Sequence, residues 1–326
     1  MKLEKCLIGA CMAMMSVVGA GAGAQQAFPS RPIAIVVPFP PGGVTDLTAR
    51  TYAQVMGKEL GTSIIVENRP GAGATIGANH VAKSAPDGYT LLFGTNVTHA
   101  ISPQILPKVP YDSLKDFNTF GMFGTNGNVL IVPAASPIHN FKEFIAFLKE
   151  KKDKATGAVP SIGSSSHLAS ELLKQKVPGL SYLTVPYNGP SASMSAVIGQ
   201  QVDFMFTNIG AATAQIKAGS VRAIAVTTAK RVPQLPDVPT VTESGIPGFE
   251  VIGWFVAAAP KGTPPEVIER LNKALNDAQK DPHLRKVMDA ATVNLEALSP
   301  QQVQEFVQAE YKKWGEVIRA AHLKVN

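Results

Sequence analysis

VVPFPPGGVTDLTAR, Val36 to Arg50, passes from a branched apolar segment through Pro40-Pro41-Gly42-Gly43 straight into a segment with helical spacing. A strand that ends in glycines at a helix start is the unit from which open α/β sheets are built, and in such sheets ligands sit outside the carboxyl ends of the strands. The first turn of a helix leaves backbone N–H groups unpaired and carries partial positive charge. Glycines there let a carboxylate or phosphate reach the backbone without a lysine. For any one loop of this kind the alternative is a plain turn, with Thr45 or Asp46 capping the helix.

The pattern recurs along the chain. Short runs rich in branched and aromatic residues, Ile33 to Phe39, Ser63 to Glu67, Thr90 to Phe93, Val129 to Val132, Tyr182 to Val185, Val202 to Phe206 and Val221 to Thr227, read as buried strands. Amphipathic segments such as TDLTARTYAQVMGKEL and NFKEFIAFLKEKK lie between them, which predicts an α/β protein with largely parallel sheets. Three early strands end in PPGGVTD, NRPGAGATIG and GTNVTH. Mid-chain, SIGSSSHLASELL, PYNGPSASMSAV and TNIGAATAQI repeat the arrangement. Two sets of three such loops predict two sheets that face one cleft. Beyond them the chain turns helical, and Thr263-Pro264-Pro265-Glu266 and Ser299-Pro300-Gln301-Gln302 each read as a cap, a proline at the first helical position and an acid or amide at the third.

Composition narrows the function. MKLEKCLIGACMAMMSVVGAGAGA has charged, apolar and A-x-A parts in the order of a secretory signal peptide, with cleavage after Ala24, so the chain is expected in the periplasm. Both cysteines, Cys6 and Cys11, fall within that segment, which leaves no thiol for disulfides, nucleophilic catalysis or metal ligation. The formal charge is +6, with lysines and arginines dispersed apart from the KEKKDK run at a helix end, a distribution that disfavours nucleic acid and suits an anionic small ligand. No later stretch reaches the roughly 18 apolar residues of a membrane helix.

Catalytic and cofactor signatures are weak. GAGATIG, Gly71 to Gly77, spaces its third glycine one residue late for a dinucleotide fingerprint. Ser164-Ser165-Ser166-His167 places possible nucleophiles beside a base, but adjacent residues make a poor relay, and G-x-S-x-G and S-x-x-K are both absent. The serines read better as helix caps that offer hydroxyls to a ligand. The six histidines are scattered without metal spacing, so neither a metal nor a cofactor is expected.

With these loops in order, the chain resembles the periplasmic solute-binding proteins of tripartite tricarboxylate transporters, the Bug family. The resemblance runs from about Phe28 to the C-terminus through FPSRPIAIVVPFPPGGVTDLTAR, VENRPGAGATIGANHVAKSAPDGYTLLFGT, VPYNGPSASMSAVIGQQVDFMF and VRAIAVTTAKRVPQLPDVPTVTESGIPGFEVIGWF. It implies a two-lobed α/β clamshell of the type II-like periplasmic-binding-protein kind with two crossover strands. Residues 25–125 and 228–326 would form lobe 1, and residues 126–227 lobe 2. It further implies a non-enzymatic receptor that passes an organic carboxylate to a membrane permease. The rival classes are a sensory module that docks on a membrane sensor kinase and, less favoured, a secreted enzyme.

Carried over by position, the carboxylate grip of lobe 1 would be Gly42, Gly43 and Asp46, then Gly73 and Ala74, then Thr95 and Asn96. Lobe 2 would supply Ser164, Ser165, Thr207 and Asn208. Many relatives have an Asp-Asn pair where this chain has Thr207-Asn208, and a Gly-Asn step where it has Ser161-Ile162. A neutral Thr207 would leave a ligand ammonium unpaired. The expected ligand is therefore an aliphatic dicarboxylate, or an aromatic acid whose ring packs on Phe39, Ile162 or Phe204, in preference to an amino acid.

Overall fold

The computed structural model describes residues 28–324, and the segment read as a signal peptide, with both cysteines, lies outside them. The chain opens with β1 (Ile33–Val37), α1 (Val44–Leu60), β2 (Ile64–Asn68), α2 (Thr75–Ala82) and β3 (Thr90–Thr95). A π-helical turn, Val97–Ile101, and the short α3 (Ser102–Ile105) lead to β4 (Phe117–Pro133). The middle of the chain forms α4 (Phe141–Lys151), β5 (Thr156–Val159), α5 (Ser165–Lys176), β6 (Leu183–Pro186), α6 (Pro190–Ile198), β7 (Phe204–Asn208), α7 (Ile209–Lys217) and β8 (Val221–Val226). Then come β9 (Ile252–Pro260), α8 (Pro265–Ala278), α9 (Pro282–Ala290) and α10 (Pro300–Ala320).

The strands are ordered β2-β1-β3-β9-β4-β7-β5-β6, with β8 also on β4. β1 is parallel to β2 and β3, and β5 to β6 and β7, as alternation of strands and helices requires. The sheet as a whole is mixed, because β9 runs antiparallel to β3 and β4, and β4 antiparallel to β7 and β8. β4 is the cause. Its first part, Phe117 to Gly127, pairs with β9, and from Asn128 onward it pairs with β7 and β8, so one strand passes from one group of strands to the other. The chain returns where the Thr227 N–H donates to the Asn128 carbonyl and the Val251 N–H to the Thr227 carbonyl. Two lobes result, joined by these two passages. Breaks in register between Thr119 and Gly121 and between Met122 and Gly124 curl β4 where it crosses.

Burial explains the packing. In one lobe Tyr52 of α1 meets Phe123 edge-on at 4.9 Å, and Phe93 of β3 stacks on the same ring at 4.8 Å. A second core runs from one lobe to the other and includes Leu168, Phe204, Trp254, Trp314 and Val317. Glu310 accepts from both buried indoles, Trp254 Nε1 at 2.9 Å and Trp314 Nε1 at 2.7 Å. α10 also meets α5 through Gln175 Nε2, which donates to the Val317 carbonyl at 2.9 Å.

The two expected proline-marked helix starts diverge. Ser299 forms a full capping box with Gln302. Thr263 does not cap α8: Pro264 stands at the cap position in an extended conformation, the helix begins at Pro265, and the Thr263 hydroxyl donates to the Pro260 carbonyl. With two prolines in succession the helix starts one residue later, which leaves Thr263 too far back to reach its first N–H groups.

Candidate ligand-binding site

A cavity of about 800 Å³ opens between the lobes at the carboxyl ends of the strands, within the range of small-molecule sites. Besides the π-helical turn at Val97 and the short α3 at Ser102, five helices begin at its wall: α1 at Val44 and Thr45, α2 at Ala74, α5 at Ser164 to Ser166, α6 at Gly189 and Pro190, and α7 at Asn208. No Asp, Glu, Lys, Arg or His is among the lining residues. The cavity is thus positive through backbone dipoles and unpaired first-turn N–H groups alone.

The PPGG turn is built by Asp46. Its carboxylate accepts from the Gly42 N–H at 3.0 Å, from Arg50 Nε at 3.0 Å and from Asn68 Nδ2 at 3.0 Å. The Arg50 guanidinium beside it, with the Gly42 and Asn68 donors, holds its pKa down at about 2 against the cost of burial. Gly42 has φ +90°, a conformation open to glycine, whereas Gly43 caps α1 at φ −85° without any side-chain bond. Phe39, Pro40, Val44 and Thr45 form the wall here, and the exposed Gly42 and Gly43 and the buried Asp46 are not part of it.

The other expected residues divide similarly. Phe39, Gly73, Ala74, Thr95, Asn96, Ser164, Ser165 and Asn208 all line the cavity. The Thr95 hydroxyl caps the π-helical turn by accepting from the Val97 N–H at 3.2 Å, while Asn96, 6% exposed and on the wall, has no side-chain hydrogen bond among the described residues. Thr207 is off the wall, 2% exposed in β7 opposite Val129. What denies an ammonium a partner is the lack of any acid on the wall, and not Thr207. Phe204 is likewise absent from the wall, because its ring sits in the core between Phe144 and Tyr182. Ile162 is on the wall and 44% exposed.

Several wall residues escaped the sequence reading. Asn126 lines the cavity from the middle of β4. Asn128, fully buried behind the wall, accepts at Oδ1 from Ser165 Oγ and Ser166 Oγ, both at 3.4 Å, and from Asn208 Nδ2 at 3.2 Å. The polar NGN step, set between apolar runs at the start of an expected strand, was the available signal. Ile101, Ile105 and Leu106 supply aliphatic wall, and Ser102 Oγ donates to the Gly73 carbonyl at 2.8 Å, tying that turn to α3. Among the described residues no group of His, Cys, Asp and Glu is arranged to hold a metal ion, and no helix is long and apolar enough to cross a membrane.

A cleft of this form, with uncharged walls and helix starts on both sides, defines a solute-binding protein. Residues 48–323 match the model of the tripartite tricarboxylate transporter family receptor. The chain belongs to this family of periplasmic binding proteins. It is similar to the periplasmic binding protein BugD, 37% identical with a TM-score of 0.75 over 91% of this chain and 99% of that one. It is also similar to an R. palustris protein solved with adipate, 32% identical with a TM-score of 0.79, covering 91% of this chain and 99% of that one. MatC from Rhodopseudomonas palustris, solved with bound malate, is 33% identical with a TM-score of 0.76, covering 89% and 100% of the two chains.

Proposed function

We propose that this chain is a periplasmic receptor for a small organic carboxylate without an amine, which it delivers to a membrane permease. The observation that carries the reading is the convergence of five helix starts on a cavity whose lining holds no charged side chain. A carboxylate there gains from each first turn by up to about 1 kcal/mol, while an ammonium meets the same positive ends with no acid to pair with. The adipate and malate of the two solved relatives have this chemistry. Phe39, Ile101, Ile105, Leu106 and Ile162 would pack on the carbon body, which favours a six-carbon dicarboxylate or an aromatic acid over a compact, heavily hydroxylated one. Gly73, Ala74, Thr95 and Asn96 would grip from lobe 1, and Ser164, Ser165 and Asn208 from lobe 2, with the lobes divided near residues 125 and 227.

A thermal-shift screen tests ligand class, since a ligand specific to the folded state raises the midpoint by mass action. Adipate, malate, citrate, benzoate, glutamate and aspartate form the panel. Adipate or benzoate should give the largest shift, and a largest shift with glutamate or aspartate would sink the reading of an amine-free ligand. Delivery to a permease is tested by uptake of the labelled ligand in a deletion strain, where unchanged uptake removes the transport role.

A further inference from the structure

His167 lines no part of the cavity, yet it holds a piece of the wall. The imidazole is 2% exposed in the first turn of α5. Its Nδ1 accepts from the Gly163 N–H at 3.0 Å, and its backbone N–H donates to Ser164 Oγ at 3.2 Å. A ring nitrogen that accepts carries no proton, so the ring is the neutral tautomer protonated at Nε2. That Nε2 faces Glu171 Oε1 at 3.7 Å, and the same oxygen takes the Lys174 ammonium at 2.9 Å. Gly163, at φ +77°, lies so close to the other lobe that a Cβ there would stand 2.8 Å from Ile105 Cδ1 and 3.2 Å from Ile101 Cγ2. Ser161, Ile162, Gly163 and both isoleucines line the cavity. The bond from Gly163 to His167 therefore fixes a stretch of wall where the two lobes touch.

We propose that His167 is a positioning residue: its neutral ring holds the Ser161–Ser164 turn against Ile101 and Ile105, and protonation releases that turn and lowers ligand affinity. The proposal rests on the reading of the cavity as a ligand site. Protonation would put a hydrogen on Nδ1, facing the Gly163 N–H donor to donor, and the turn would have to move. Burial lowers the pKa of His167 from its ordinary 6.5, Glu171 opposes that shift and Lys174 adds to it. Both charged groups are on its own helix. Among the described residues no charged group of β5, β7 or α10, which pack on α5, acts on the ring. Because the folded-state pKa is lowered, the neutral anchor is fully present at pH 6.5 and above and is lost only as the pH falls through the folded-state value, which lies below it.

Two measurements test this, with wild type and His167→Asn compared in each. The Asn Oδ1 can take the place of Nδ1 as acceptor but does not titrate. In ligand-free protein labelled with ¹⁵N, the Gly163 amide resonance should follow the ring titration of His167 in wild type and stay still in His167→Asn. Calorimetry with adipate, or with malate if adipate gives no heat, should show similar affinities near neutrality. On acidification through the ring titration that the ¹⁵N experiment records, wild type should lose about tenfold relative to His167→Asn, the size of one lost hydrogen bond, and the ratio cancels titration of the ligand itself. His167→Ala, which lacks the acceptor, should bind weakly on both sides of that titration. A ratio that stays constant with pH, or a Gly163 amide indifferent to the ring, overturns the proposal. If none of these proteins binds a carboxylate, the receptor reading falls, and the amide titration still decides the role of His167.

Discussion

Asp46 shows how a residue can shape a site without touching its contents. By taking the Gly42 N–H, it removes one donor that a ligand could have used and fixes the turn so that Val44 and Thr45 present theirs. Since its pKa is lowered to about 2, the stabilisation it gives is present above about pH 4 and fades as the pH falls toward 2. Asp46→Ala should cost about 1 kcal/mol in urea unfolding near neutrality, allowing for the water that screens the half-exposed Arg50, and the difference from wild type should shrink to a small remainder as the pH falls to about 2. The adjacent glycines separate fold from ligand. Gly42→Ala must hold φ +90° and should lose about 1–2 kcal/mol. Gly43→Ala has space, with Thr45 Oγ1 nearest at 3.9 Å, so it should unfold like wild type. Because Gly43 is off the wall, Gly43→Ala should also keep its carboxylate affinity, and a marked loss would bring the ligand onto this turn.

At the scale of elements, Asn128 joins three of them: β4 that carries it, α5 through Ser165 and Ser166, and α7 through Asn208. Asn128→Asp keeps an acceptor for all three donors, so circular dichroism should show a native fold, while a buried negative charge behind the wall should weaken carboxylate binding by tenfold or more in calorimetry. Undiminished affinity would mean that the anion sits far from α5. The strand-to-helix loops were legible in the sequence because glycine, serine and proline at strand ends have local causes. β4 was only partly legible, and no strand was read at β9. Their position depends on pairing between Thr125 and Trp254, far apart in the chain, and Gly121, Gly124 and Gly127 interrupt the apolar run that marks a strand. The wall residues Asn126, Ile101 and Ile105 were missed for the same reason, since nothing local to NGN or THAISPQI says that a cleft lies beside it. Thr207 and Phe204 erred the other way, because alternation along a strand does not say which of two faces meets the cavity.

The molecule as a whole has a seam as well as a cleft. α10 packs on α5, Gln175 bonds to Val317, and Leu168, Trp314 and Val317 share one core with Ile101 and Ile105, so the lobes are tied by a seam that reaches the cavity wall beside Gly163. Motion between them should be a pivot about that seam. Ligand contacts made by both lobes would shift the population toward the shut form, and small-angle scattering should record a smaller radius of gyration with a ligand identified in the thermal-shift screen. Equal radii in both states would rule out closure as the binding step.

A cavity that attracts an anion through peptide dipoles differs in one measurable respect from a cavity lined with arginine. Mobile ions accumulate around exposed charged side chains and weaken their attraction over a Debye length of about 10 Å at 0.1 M salt, whereas dipoles fixed in an enclosed wall offer them no such foothold. Carboxylate affinity should therefore change by less than about twofold between low salt and about 0.5 M sodium chloride, when each buffer is matched in pH. A steep loss with salt would locate the attraction on the outer surface, in the dispersed lysines that give the chain its charge of +6. Constancy would mean that the receptor reads its solute equally well in dilute and in briny surroundings.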